Sequence, residues 1–321
     1  MRIPAYSRGR RSNRGGLLGA LGGRLPIIGL VIVGLAFYWF SNQKTGISGR
    51  KQMVTMSVEQ EVALGDQSYM QILQSEPVLC SRGTNACSMD EREVVQIINK
   101  IGEDIARAAI EWEQEGAPLM GMGKSAGGIP SWGTLADKFQ WEFQVISSDT
   151  PNAFCLPGGK VAFYTGILPT AANKDGIAVI MGHEIGHALA RHGAERMSQA
   201  KMMQFGQMAV GASVGDMGAG AQRAVMGAFG MGADVGVMKP FSRAHESEAD
   251  MIGLELLTRA CYDPREAPEL WGRMAQLGGG QRQPEALSTH PDPEKRAQAF
   301  VEVMPQYIEL YEQKCGPLPA R

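Results

Sequence analysis

The sequence predicts an α+β chain, mainly α-helical, with a small β-sheet and one apolar helix near its N-terminus. Three observations lead there. Apolar residues recur at helical spacing over several long segments, only two short stretches read as strands, and one uncharged apolar run stands near the start. With 321 residues and 44% hydrophobic content the chain can bury a sizeable core.

Residues 1–24 form a basic segment, carrying Arg2, Arg8, Arg10, Arg11, Arg14 and Arg24 and no acid. Residues 25–42 are the expected transmembrane anchor. Leu25 to Phe40 is uncharged, Tyr38 and Trp39 suit a membrane interface, and Arg24 can snorkel. The run alone is short of the roughly 20 residues a bilayer needs, so its flanks must extend it. A cleaved signal peptide and a buried core helix are the competing explanations. No small-residue cleavage site follows Phe40, which favours an uncleaved anchor. Basic residues ahead of a span hold the N-terminus in the cytoplasm, which puts the rest across a bacterial inner membrane in the periplasm. The same Arg-rich, acid-free leader allows a mitochondrial inner membrane as the alternative.

Residues 43–56 are polar with Gly46 and Gly49 and suit a linker, so the folded domain is expected over 57–321. Ser57 with Gln60 makes a capping box for a helix to Gln74, and a second helix runs from Asp90 to about Trp112 on Val94, Ile97, Ile98, Ile101 and Ile105. Gly116 to Gly133 reads as a loop. Phe139 to Ile146 and Val161 to Tyr164 read as strands, the second after a Pro157-Gly158-Gly159 turn. Asn173 to about Ala200 reads as one helix, Ser242 to Leu257 as another capped by Ser242, and Pro293 to Tyr311 as a C-terminal one. Between Lys201 and Pro240 charge nearly vanishes and Met is frequent, which fits either a flap beside a site, a surface for membrane or unfolded protein, or a core hairpin.

The net charge is −2 and the basic excess is confined to the leader, which excludes an extended nucleic-acid surface. Two disulfides, Cys80–Cys87 and Cys261–Cys315, would leave Cys155 alone; five reduced thiols are the alternative.

The chemistry is concentrated in His183-Glu184-Ile185-Gly186-His187 and, 59 residues on, Glu246-Ser247-Glu248-Ala249-Asp250. Residues four apart share a helix face, so His183 and His187 can offer nitrogens to one metal, with Glu184 beside it. Zinc held by three protein ligands keeps a place for water and acidifies it, and Glu184 is the candidate general base. Glu246 is the candidate third ligand, with Asp250 one turn on to hold a histidine's other nitrogen. Glu248 faces the other side of that helix and is expected to be a solvated charge. His290, on a loop, could approach the metal or an oxyanion, although spacing alone favours a capping or surface role.

HEIGHALARHGAERMS from His183, SRAHESEADMIG from Ser242, PNAFCLPGGKVAFYTGIL from Pro151, EVALGDQ from Glu61 and STHPDPEKR from Ser288 together resemble the membrane-associated zinc metallopeptidases: the HtpX heat-shock protease, the CAAX prenyl endopeptidases, the Oma-type mitochondrial peptidases and their periplasmic relatives. Cys155 stands where that family often has Ala. The resemblance implies a zincin-like (gluzincin) fold and one Zn2+ per chain on His183, His187 and Glu246. It also implies Glu184 as catalytic, Asp250 as support, and His290 as a regulatory or transition-state group. One apolar run and no C-terminal helical repeats place the chain nearer the single-domain quality-control members than the prenyl-protein processors.

The expected function is a membrane-anchored zinc endopeptidase acting on misfolded or damaged envelope proteins, with His290 or Arg243 near the oxyanion. The alternatives are a chaperone or adaptor holding unfolded clients and a zinc amidase acting on cell-wall material.

Overall fold

The computed structural model describes residues 25–80, 87–116, 118–120, 130–213, 242–277, 290 and 292–320. The basic leader and most of the Met-rich segment, from 214 to 241, lie outside them. The chain divides into two units, one of residues 1–41 and 199–238 and one of residues 42–198 and 239–321.

In the first unit, helix α1 (Leu25–Ser41) is apolar all round, with Leu30, Ile32, Val33, Phe37 and Phe40 exposed. Its 17 residues span about 25 Å at 1.5 Å per residue. A bilayer's hydrocarbon core is about 30 Å thick. Among the described residues no helix is long and apolar enough to cross a membrane, and the span expected at 25–42 adjoins the leader that lies outside them.

In the second unit, β1 (Gln43–Thr45) and β2 (Lys51–Met53) form an antiparallel hairpin where a linker was expected. Ile47, Gln52, Met53 and Val54 are buried, and the Gln52 amide donates to the Ala190 carbonyl at 3.0 Å, so the folded unit begins near Asn42 rather than Ser57. Helix α2 (Val58–Ser75) has the predicted Ser57–Gln60 capping box, and α3 (Met89–Glu115) has a second one from Ser88 and Glu91.

The three-stranded sheet has the order β3 (Glu142–Ile146), β5 (Lys160–Tyr164), β4 (Ala153–Leu156). β5 is central, parallel to β3 and antiparallel to β4, and its run Val161-Ala162-Phe163 is fully buried. Gly158 and Gly159 take φ of 88° and 82°, a left-handed backbone open to glycine, and so allow the three-residue return from β4 to β5. β4 has no strand on its outer side among the described residues.

After α4 (Leu168–Ala171) come the two motif helices, α5 (Lys174–Leu189) and α6 (His192–Ser213). The sequence suggested a single helix; instead the chain breaks at Arg191, whose φ is 56°. A left-handed non-glycine residue costs on the order of 1 kcal/mol. Tertiary bonds hold it: Arg191 Nε donates to Glu61 at 2.7 Å, Nη2 donates to the Met56 carbonyl at 3.0 Å, and the guanidinium lies 5.1 Å from the centre of the Trp132 ring.

α7 (Arg243–Arg259) starts on the predicted Ser242 cap. α8 (Glu266–Leu277) was not anticipated, and α9 (Pro293–Cys315) runs past Tyr311 to the disulfide Cys261–Cys315. Cys80–Cys87 is the second pair and Cys155 is free.

α5 and α7 cross backbone to backbone. A Cβ on Gly182 would lie 2.7 Å from the Gly253 carbonyl oxygen, and one on Gly186 would lie 2.7 Å from that of Ala249. Only glycine allows this approach. Gly253→Ala should therefore destabilise the protein by about 1–3 kcal/mol and weaken metal binding together, as the two helices are forced apart. Thermal melting and zinc titration of the variant check this; unchanged values for both would mean that the crossing tolerates a methyl group.

Candidate active site

The crossing places His183, Glu184 and His187 of α5 opposite Glu246 and Asp250 of α7, all of them buried. The Nε2 atoms of His183 and His187 are 3.1 Å apart, and each lies 3.5 Å from a Glu246 carboxylate oxygen. His290, which spacing alone favoured as a surface residue, is buried here too. Its Nδ1 is 3.2 Å from His183 Nε2 and 3.1 Å from Glu246.

One ligand atom from each of His183, His187, Glu246 and His290 lies within 4.8 Å of all the others. Ligands at about 2.0–2.1 Å from a tetrahedral zinc are roughly 3.3 Å apart, so the observed 3.1–3.5 Å separations fit that ion. Imidazole and carboxylate donors suit zinc chemically as well.

Asp250 lies 3.0 Å from His183 Nδ1, where a carboxylate fixes the ring's tautomer. Arg296, in the first turn of α9, is the main site residue the sequence reading overlooked. It donates to both Asp250 oxygens, at 2.8 and 2.5 Å, reaches Glu246 at 2.8 Å, and lies over the Trp271 ring at 3.3 Å from its centre. It closes the STHPDPEKR segment already singled out for His290, six residues earlier. That adjacency was the available signal.

Burial and Arg296 both push the His183 imidazole down, yet hydrogen bonding to Asp250 and Glu246 outweighs them and raises it to about 9. Burial raises the Glu184 carboxyl above its ordinary range, against the pull of His290 and His183. Glu184 Oε1 lies 3.6 Å from His290 Nε2. A carboxylate that takes a proton readily is suited to base catalysis.

A cavity of about 20 Å³, lined mainly by apolar side chains such as Ile180, Leu270 and Met274, adjoins His183, Glu184 and His290. It has room for about one water. A larger groove of about 1250 Å³ along α3 and β3 contains none of these groups, so the chemistry belongs to the small cavity.

Two expectations are corrected. Arg243 is 80% exposed and pairs with Asp292 at 3.0 Å, so it is not among the buried groups. Glu248 does face away from Glu246, but it is fully buried, bonded by Ser48, Arg50 and His192.

The Peptidase family M48 model matches residues 129–303, more than half of the sequence. The chain belongs to peptidase family M48. Members of this family use zinc, in agreement with the His183–His187–Glu246 geometry and the resemblance read from the motifs. The chain is 38% identical over 190 residues to the mitochondrial metalloendopeptidase OMA1 of Saccharomyces cerevisiae, covering 56% of this chain and 52% of the relative. It is 31% identical over 187 residues to the human mitochondrial metalloendopeptidase OMA1, covering 56% and 36%. It is 27% identical over 250 residues to the β-barrel assembly-enhancing protease of Escherichia coli, covering 75% and 43%. The chain thus spans about half the length, or less, of these M48 relatives.

Arg296 joins Asp250 and Glu246, so Arg296→Met should leave two buried carboxylates short of a partner. Zinc affinity is expected to fall about 10- to 100-fold. Competition with a chelator measures it; an unchanged affinity would make Arg296 a packing residue only.

Proposed function

We propose that this chain is a membrane-attached zinc endopeptidase that cleaves misfolded or damaged proteins in the cell envelope. The observation that carries the reading is the convergence of two imidazoles and a carboxylate beside Glu184, within a chain of a metallopeptidase family. In this reading His183, His187 and Glu246 hold one zinc ion. When bound, zinc supplies the Lewis acidity that peptide hydrolysis needs. Glu184 takes the proton of the attacking water and hands it to the departing amide nitrogen. Asp250 keeps the His183 proton on Nδ1, and the Nε2 of His290, beside Glu184, is placed to donate to the developing oxyanion. An extended substrate strand can add to the free edge of β4. Ile180, Leu270 and Met274 keep bulk water from the reacting atoms.

Exposed apolar side chains on α1 support membrane attachment. Two disulfides support an oxidising compartment, with the periplasmic side of a bacterial inner membrane as the placement. The relatives named as mitochondrial favour a second placement, the mitochondrial inner membrane.

The test is zinc-dependent cleavage of an unfolded protein by the full chain in detergent, beside Glu184→Gln. The variant should bind zinc as the parent does and cleave about 10²- to 10⁴-fold more slowly. Equal rates would remove Glu184 from catalysis. Zinc binding without cleavage by either would favour a protein that holds unfolded clients, and hydrolysis confined to cell-wall fragments would favour an amidase.

A further inference from the structure

Behind His187 lies a second buried polar cluster that the peptidase reading does not use. His187 turns Nε2 to His183 and Glu246, and its Nδ1 is 2.8 Å from Nδ1 of His192. His192 Nε2 is 3.1 Å from a Glu248 oxygen. Glu248 accepts further from the Ser48 hydroxyl at 2.5 Å and from Arg50 Nε at 2.8 Å. The other guanidinium nitrogens of Arg50 donate to Glu195 at 3.1 and 2.7 Å. Glu195 also lies 2.9 Å from His245 Nε2, and the His245 ring stacks on His192 with centres 4.4 Å apart.

Proton assignment along this line has one consistent solution once Nε2 of His187 faces a cation. A neutral imidazole that gives one nitrogen's lone pair to a metal carries its proton on the other. His187 then donates from Nδ1 to Nδ1 of His192. His192 must therefore carry its own proton on Nε2, and it donates that proton to Glu248. The line ends on Ser48 and Arg50, which lie on the connection between β1 and β2. The parallel with the other motif histidine is close. His183 Nδ1 faces the Asp250–Arg296 pair directly, whereas His187 Nδ1 faces the Glu248–Arg50 pair through the imidazole of His192.

We infer that His192, Glu248 and Arg50 are positioning residues for the metal, fixing the tautomer and orientation of His187, so that the N-terminal hairpin is a working part of the active centre. This rests on the reading of His183, His187 and Glu246 as the zinc site. A carboxylate behind a metal-bound histidine raises its basicity as well as orienting it. An interposed imidazole transmits both effects, because it accepts on Nδ1 and donates from Nε2.

The test uses the full chain in detergent with zinc and a competing chelator, comparing the parent with His192→Phe, Glu248→Gln and Ser48→Ala. His192→Phe keeps a ring for the stack on His245 and removes both nitrogens. The first two variants should raise the zinc Kd about 10- to 100-fold. Ser48→Ala removes one bond at the far end, and its effect should be about threefold. In proton–nitrogen spectra of the zinc-loaded parent, the His187 Nδ1 proton should resonate downfield and exchange slowly; in His192→Phe it should move upfield and exchange. Parent-like Kd values with an unmoved proton signal would overturn the inference. If His192→Phe and Glu248→Gln do not give folded protein, Ser48→Ala decides, and an unchanged Kd there overturns it. Failure of the parent itself to bind zinc would instead overturn the reading of the site.

Discussion

The close crossing of α5 and α7 is the constraint on which the rest depends. Helices normally pack with axes about 8–10 Å apart, held off by their side chains. At Gly182, Gly186, Ala249 and Gly253 there is almost nothing to hold these two apart, and backbone meets backbone. That approach lets short imidazole and carboxylate side chains from different helices reach one point. The glycines therefore serve the chemistry through packing, although none of them touches it.

Bringing those groups together concentrates charge in the interior, which is costly unless every charge is paired and hydrogen-bonded. α7 meets the cost with both of its polar faces. Glu246 and Asp250 look toward His183 and Arg296, while Glu248 looks toward His192 and Arg50. Three acidic residues within five positions would repel on a solvated helix; here each is separated from the others by a cationic or imidazole partner. Burial pushes all three carboxyls up, and their partners pull them back below the ordinary carboxyl range. The partners come from distant places in the chain, Arg50 from the N-terminal hairpin and Arg296 from α9, so the site is complete only when both ends of the unit have folded around it.

What could be read from the residues follows the range of the interaction that determines it. The His183–His187 spacing, the Glu246–Asp250 spacing, the Ser57–Gln60 capping box and the Pro157-Gly158-Gly159 turn are local, and the structure carries each where the sequence puts it. The break at Arg191 has no glycine at its left-handed position to announce it, Gly193 standing two residues on, because Glu61 and Trp132 hold it from other elements. The hairpin at 43–53 looked like a linker because its residues are polar and its strands only three residues long; its burial comes from Gln52 and Met53 packing elsewhere. Glu248 looked solvated for a similar reason. Its alternation with Glu246 correctly sets it on the opposite face, but helical periodicity does not tell which faces have neighbours.

His183, His187 and Glu246 are the proposed seat of one zinc ion at the α5–α7 crossing. Anomalous diffraction at the zinc edge, from crystals of the zinc-loaded full chain, tests it most directly. A single zinc peak is expected within bonding distance of Nε2 of His183, Nε2 of His187 and the Glu246 carboxylate. A peak elsewhere, or one lacking any of those three contacts, would contradict it.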